Sequence, residues 1–241
     1  TPSQVIHETW REMTAAGDVN GDGYSDLLVS DLVWNDGQGK AWLYFGDNPM
    51  DTIPDWTIVG DSVRYWLGFV LSGGKDINND GFDDFLVGGF RSLQSGTPAY
   101  VKVFYGGLNI DTIPRFIFDA RNIPGIVENY PTLIDDINGD QKSEVAINHS
   151  LDTSLYIFFG KDSLNNIPDL RLHGSSFSSP GGFSNASIGD VNGDGNNDIL
   201  LGNSHSWGGL GEVLLYLGHS NMNGIRSFMW NGFTGDWIGT G

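Results

Sequence analysis

A chain of 241 residues without a single cysteine can form no disulfide, thiolate metal site or cysteine nucleophile, and its length allows one or two domains. Thirty acidic residues against 12 basic ones give a net charge of −18 at pH 7, which repels phosphate backbones and anionic lipid and argues against nucleic acid or bare membrane as partners. No apolar run approaches the ~20 residues of a membrane helix, and the opening TPSQVIHETW lacks the basic-then-apolar order of a signal peptide.

The first motif in chain order is the acidic loop DVNGDGYSD at 18–26. Asp18, Asn20, Asp22 and Asp26 stand at loop positions 1, 3, 5 and 9, with Tyr24 at position 7 offering a backbone carbonyl. A hard cation such as Ca²⁺ takes several oxygens at about 2.3–2.6 Å, and a tight Gly-containing turn can gather them. The loop returns as DINNDGFDD (Asp76, Asn78, Asp80, Phe82, Asp84), DINGDQKSE (Asp136, Asn138, Asp140, Lys142, Glu144) and DVNGDGNND (Asp190, Asn192, Asp194, Asn196, Asp198). A metal-free acidic turn is the alternative for any one copy; four copies in one acid register favour metal, with three to four Ca²⁺ ions expected. An EF-hand does not fit, because its bidentate Glu at position 12 is replaced by Val29, Val87, Ile147 and Leu201. The third copy departs from the others: Gln141 replaces the turn Gly and Glu144 the last Asp. That substitution leads us to expect a weaker, reshaped or empty site.

After each loop comes a short apolar run, then a marker of two aromatic or apolar residues and Gly, ending at Gly46, Gly106, Gly160 and Gly218. From marker Gly to the next loop Asp the distance is always 30 residues, whereas from loop Asp to marker Gly it is 28, 30, 24 and 28. All length variation therefore lies between the strand after the loop and the strand ending in the marker. Periods of 60, 54 and 58 residues indicate stacked supersecondary units. Period-two alternation gives four strands per unit, in the second copy Trp66–Ser72, Phe85–Gly89, Ala99–Tyr105 and Arg115–Asp119. An Ile-Pro turn precedes the fourth strand at Ile53-Pro54, Ile113-Pro114 and Ile167-Pro168, with Ile225-Arg226 in the last copy. Four antiparallel strands per repeat with Gly-rich turns make a propeller blade. The fold expected is all-β: one β-propeller array over 1–241, with repeats at about 1–58, 59–118, 119–172 and 173–230 and the calcium loops between first and second strands. Residues 231–241 would open a further blade or supply a closing strand.

These residues resemble the FG-GAP repeat of integrin α-subunit propellers and of many bacterial extracellular proteins. The signature is clearest in LGF (Leu67–Phe69), DINNDGFDDFLVGGF (Asp76–Phe90) and KVFYGG (Lys102–Gly107), with Gly88-Gly89-Phe90 where the family usually has Gly-Ala-Pro. The resemblance covers essentially the whole chain. It implies calcium sites on one face of a propeller and ligand recognition on the opposite face, in an extracellular, secreted or cell-surface setting, in a bacterium. Integrin-like propellers usually have seven blades, so further repeats of a longer parent or self-assembly are expected, with a closed four-bladed ring the alternative.

Other chemistry is sparse. No HExxH, G-x-S-x-G or phosphate-binding loop occurs, so no catalytic residue is assigned. Trp56, Phe116, Leu170 and Phe228 align across repeats, as do Ile58, Phe118, Leu172 and Trp230, which is the recurrence that packing between blades requires. Ligand-binding candidates are Trp34, Arg91, His149, His205 and Trp207 in or beside the length-variable loops. The functional expectation is a calcium-stabilised, non-enzymatic binding or adhesion module recognising a protein or glycan. A polysaccharide-lyase-like propeller enzyme and a purely structural repeat segment are the alternatives.

Overall fold

The computed structural model describes residues 12–89, 100–119, 122–123, 131–149, 154–173, 184–203 and 211–232. They form sixteen strands in four four-stranded antiparallel sheets. The first sheet holds β1 (Glu12–Gly17), β2 (Asp26–Asp31), β3 (Lys40–Tyr44) and β4 (Trp56–Val59) in sequence order. The second holds β5 (Leu67–Lys75), β6 (Asp84–Gly89), β7 (Tyr100–Phe104) and β8 (Phe116–Asp119). The third holds β9 (Pro131–Ile134), β10 (Glu144–His149), β11 (Ser154–Phe158) and β12 (Leu170–His173), and the fourth β13 (Ser184–Gly189), β14 (Asp198–Asn203), β15 (Glu212–Tyr216) and β16 (Phe228–Asn231).

Each sheet packs face to face on the next, and this explains the apolar runs. In β6, DFLVGG is buried at every position, because one face meets the preceding sheet and the other the following one. Leu28, Leu43, Trp56 and Ile58 of the first sheet cluster with Phe85, Val87 and Phe104 of the second. Trp56 meets Phe85 and Phe104 edge-on, with ring centroids 5.2 and 4.9 Å apart. Val101, Val103 and Phe118 likewise meet Val145, Ile147 and Phe158, and Leu170 and Leu172 meet Ile199, Leu201 and Tyr216. The first strands β1, β5 and β9 lie side by side, as blades do around a propeller axis.

The fourth sheet departs from the expected pattern. Trp56, Ile58, Phe118, Leu170 and Leu172 are at most 9% exposed, yet Phe228 and Trp230 at the matching positions are 56% and 50% exposed. Among the described residues no core cluster joins the fourth sheet to the first, so the face that each earlier blade buries against its successor lies open.

Because consecutive strands run antiparallel, the β1–β2 and β3–β4 connections of a sheet share one end, and the β2–β3 connection takes the other. The acidic loops and marker glycines therefore sit at one end, with the length-variable segments opposite.

Candidate metal loops

Each acidic loop links the first and second strands of its sheet. In three blades a bulge closes the first strand just before the loop, between Ala15 and Gly17, Gly73 and Lys75, and Ser187 and Gly189. Left-handed Gly17, Gly74 and Gly189 (φ 80°, 78° and 78°) bend the chain there, a conformation glycine adopts without steric cost.

The position-1 carboxylate organises the turn. Asp18 Oδ1 accepts the N–H groups of Gly21 and Asp22 at 2.8 and 3.0 Å, and its Oδ2 accepts that of Gly23 at 2.9 Å. Asn20 Oδ1 accepts the Asp22 N–H at 2.9 Å, and Asp22 Oδ1 accepts the Tyr24 N–H at 2.9 Å. The same bonds recur around Asp76, Asn78, Asp80 and Phe82, around Asp136, Asn138, Asp140 and Lys142, and around Asp190, Asn192, Asp194 and Asn196. These side chains shape the backbone while their remaining lone pairs stay available.

The position-9 acid has a second task. Asp26 is buried, with Oδ2 accepting the Val19 N–H at 2.9 Å and Oδ1 the Gly46 N–H at 2.8 Å. Asp84 holds Ile77 and Gly106 in the same way, and Asp198 holds Val191 and Gly218. In these three blades the position-9 Asp and the marker Gly are thus hydrogen-bonded partners. The marker must be Gly because a Cβ on Gly106 would lie 2.4 Å from the Asp83 carbonyl oxygen and 2.8 Å from that of Val19, and one on Gly218 2.1 Å from that of Asn197.

Burial and neighbouring acids strain these carboxylates electrostatically. Loss of solvation raises Asp26 to about 6, Asp84 to about 8 and Glu144 to about 9; the backbone N–H bonds oppose that rise, and the position-1 and position-5 acids add to it. Exposed Asp194 is lowered instead, chiefly by the Asn196 N–H. A bound dication would reverse the rise by stabilising the charged forms.

The third loop keeps the backbone turn of the others, and its reshaping is confined to side chains. Gln141 takes φ 69°, close to the 91–92° of Gly23, Gly81 and Gly195, and its N–H bonds Asp136 Oδ2 at 2.7 Å as its counterparts do. The hydrogen bonds made by Asp136 offset the steric cost of a left-handed side-chain residue. Glu144, longer by one methylene, bonds Asn138 Nδ2 through Oε1 at 3.0 Å and Ile137 N–H through Oε2 at 3.2 Å. Asp136, Asp140 and Glu144 each bring a carboxylate oxygen within 4.8 Å of the others. In the other loops the Asn amide turns to the position-5 acid at 2.8 Å. An all-oxygen donor set with three converging carboxylates fits a hard cation.

Three structural features had no assignment from the sequence, and only the first of them carries a repeating signal. Position 4 is also left-handed, at Gly21, Asn79, Gly139 and Gly193 (φ 76°, 60°, 80° and 79°), and it carries Gly or Asn in all four copies. Asp83 at position 8 reaches the neighbouring loop, for which no periodic signal exists. At the opposite end, Asn35, Asp36, Arg64 and Trp66 are non-Gly residues with φ of 49°, 58°, 63° and 43°, where the Trp34–Gly37 turn hydrogen-bonds the segment before β5. Strain of this kind collects at functional surfaces.

Of the ligand-binding candidates, Trp34 lies on that turn, 37% exposed, with Lys40 Nζ 5.5 Å from its ring. His149 ends β10, while Arg91, His205 and Trp207 lie outside the described residues.

No protein-family model matches the chain. Human integrin alpha-6 is 28% identical over 186 residues, covering 73% of this chain and 15% of that protein. Integrin alpha-8 of Gallus gallus is 31% identical over 96 residues (37% of this chain, 9% of that one), and integrin alpha-PS2 of Drosophila melanogaster 33% over 90 residues (34% and 6%). The chain is similar to the FG-GAP propeller region of integrin α subunits. It spans 15% or less of the length of these relatives. All three are animal proteins, which lends no support to a bacterial source.

Proposed function

We propose that this chain is an extracellular binding module of the integrin α type, whose acidic loops take Ca²⁺ and whose variable loops recognise a protein or glycan. The observation that carries this reading is the division between the two ends of the sheets. One end repeats the same hydrogen-bonded acidic loop four times, while length variation lies at the other, and loops on a rigid scaffold carry recognition. The cation would be held by Asp18, Asn20, Asp22 and Asp26 and by their counterparts in the other three loops, including Asp136, Asp140 and Glu144. It would supply charge compensation and cross-linking within each loop, not chemistry on a substrate. Sites in the range of extracellular modules, roughly 10⁻⁴–10⁻³ M, fill outside a cell and stay empty in cytosol. Trp34, whose flat ring is exposed, is a candidate to stack on a sugar or anchor a protein partner. The open face around Phe228 and Trp230 is suited to a further blade.

Calorimetric titration with Ca²⁺, followed by a glycan array and pull-down from cell-surface extracts with and without EDTA, tests both halves. Calcium uptake and a ligand lost on Trp34→Ala are expected. Absence of any cation binding, or of any ligand in saturating Ca²⁺, would refute the corresponding half.

A further inference from the structure

The four loops are joined end to end by main-chain bonds. The position-8 N–H of each later loop donates to the position-1 carbonyl of the loop before it: Asp83 to Asp18 at 3.1 Å, Ser143 to Asp76 at 2.8 Å and Asn197 to Asp136 at 3.1 Å. The residue whose carboxylate shapes one loop is therefore also the acceptor that seats the next. Side chains add to this contact. A Cβ on Gly21 would lie 2.6 Å from the Phe82 ring, and one on Gly139 2.5 Å from Asn196 Oδ1, so position 7 of a later loop covers position 4 of the earlier one.

Between the first two loops there is one bond more. Asp83 Oδ2 accepts the Asp18 N–H at 2.8 Å, and a Cβ on the adjacent Gly17 would come within 2.1 Å of that oxygen. Asp83 thus grips both main-chain polar groups of Asp18, the N–H with its carboxylate and the carbonyl with its own N–H. Asp18 in turn holds the N–H groups of Gly21, Asp22 and Gly23. The shape of the first loop depends on a residue of the second blade that occupies none of the odd-numbered ligand positions.

We propose that Asp83 is a positioning residue for the first cation loop, and that adjacent loops bind cations as a coupled series. The proposal rests on the cation-binding reading above. Ordering the second loop fixes Asp83, which fixes the Asp18 peptide; the first loop then meets its cation with less conformational freedom left to lose. Coupling of this kind is reciprocal, so filling the first loop tightens the second by the same factor.

Tyrosine stands at position 7 in the first loop alone, against Phe82, Lys142 and Asn196 in the others. Tb³⁺ luminescence sensitised by Tyr24, with Tyr24→Phe as the blank, therefore reads the first loop separately. Asp83→Ala is expected to weaken Tb³⁺ there at least about 5-fold, the lower end of ordinary site–site coupling, and Asp83→Asn, which keeps an acceptor oxygen, to recover most of it. Asp76→Ala, which disables the second loop from within, should weaken the first loop similarly, while Asp190→Ala in the distant fourth loop should leave it unchanged. First-loop affinity untouched by both Asp83→Ala and Asp76→Ala, or lowered equally by Asp190→Ala, would overturn the coupling and leave cation binding intact. A wild-type chain with no Tyr24 signal and no heat of Ca²⁺ binding would remove the metal reading itself, and this proposal with it.

Discussion

Replacing the half-buried Gly106 by Ala is expected to damage this protein far more than replacing the fully buried Gly88 nearby. Gly106 N–H donates to Asp84 Oδ1 at 2.8 Å, and an added Cβ would meet the Asp83 carbonyl oxygen at 2.4 Å and the Val19 carbonyl oxygen at 2.8 Å. Those oxygens belong to the loops of two different blades, and both are backbone, so no side-chain rotation relieves the contact. Reaching an ordinary separation of 3.4 Å from the first oxygen needs a displacement of 3.4 − 2.4 = 1.0 Å. Overpacking of that kind costs about 1–3 kcal/mol, and stretching the charge-assisted bond to Asp84 adds to it. About 3 kcal/mol in all corresponds to a Tm lower by about 6–12 °C for a chain of this size. Gly88 supplies the control: its Cβ would find nothing nearer than 3.4 Å, and Ala there should change stability by less than about 1 kcal/mol, part of any change being a gain from a stiffer unfolded chain. Scanning calorimetry of both variants in excess Ca²⁺ makes the comparison. Equal melting of Gly106→Ala and Gly88→Ala would refute the idea that marker glycines exist to admit the loop carbonyls.

Calcium and pH should act together: in EDTA the Tm should fall as pH rises, because carboxyls raised by burial to about 6, 8 and 9 (Asp26, Asp84, Glu144) bind protons more tightly folded than unfolded. Their contribution is complete below the unfolded values near 4 and lost as pH climbs through the folded ones; saturating Ca²⁺ should restore stability by about 2.7 kcal/mol per site at 100-fold excess over Kd, and a pH-independent Tm in EDTA would contradict this. Asp140→Ala should abolish one cation as completely as Asp22→Ala or Asp194→Ala, since the third loop keeps the common backbone; calorimetric stoichiometry reads it, and an unchanged ion count in Asp140→Ala alone would show the third loop to be empty. Phe118→Ala should cost about 3–5 kcal/mol as a large core deletion, whereas Trp230→Lys at the matching position on the open face should cost less than about 1 kcal/mol; comparable losses in urea unfolding would mean that Trp230 is covered in solution.

The architecture was legible because a repeat states the same thing several times. The constant 30-residue spacing from marker Gly to loop Asp reflects a fixed path through the fourth strand, the crossover and the first strand, and the strands found in the second sheet differ from those expected by a few residues at their ends. Local turn chemistry was legible for the same reason: Asp, Asn and Gly at set positions describe a backbone closed by its own side chains. Gln141 was misleading because a residue's intrinsic dislike of the left-handed region is small beside the hydrogen bonds that hold it there.

What the chain could not state by itself concerns contacts between repeats that no period encodes. The sequence determined that acidic loop and marker Gly recur together; only the tertiary structure decided that the position-9 Asp bonds the marker in three blades, that each loop leans on the one before it, and that Asp83 serves a neighbour. Alignment assigned Phe228 and Trp230 to the core along with Trp56 and Phe118, yet burial is a property of what lies opposite a residue, not of the residue. The physical reason is common to these cases. Local interactions fix the turn and the strand within a few residues of sequence, whereas packing between blades joins groups about 60 residues apart and depends on which neighbour is present to receive them.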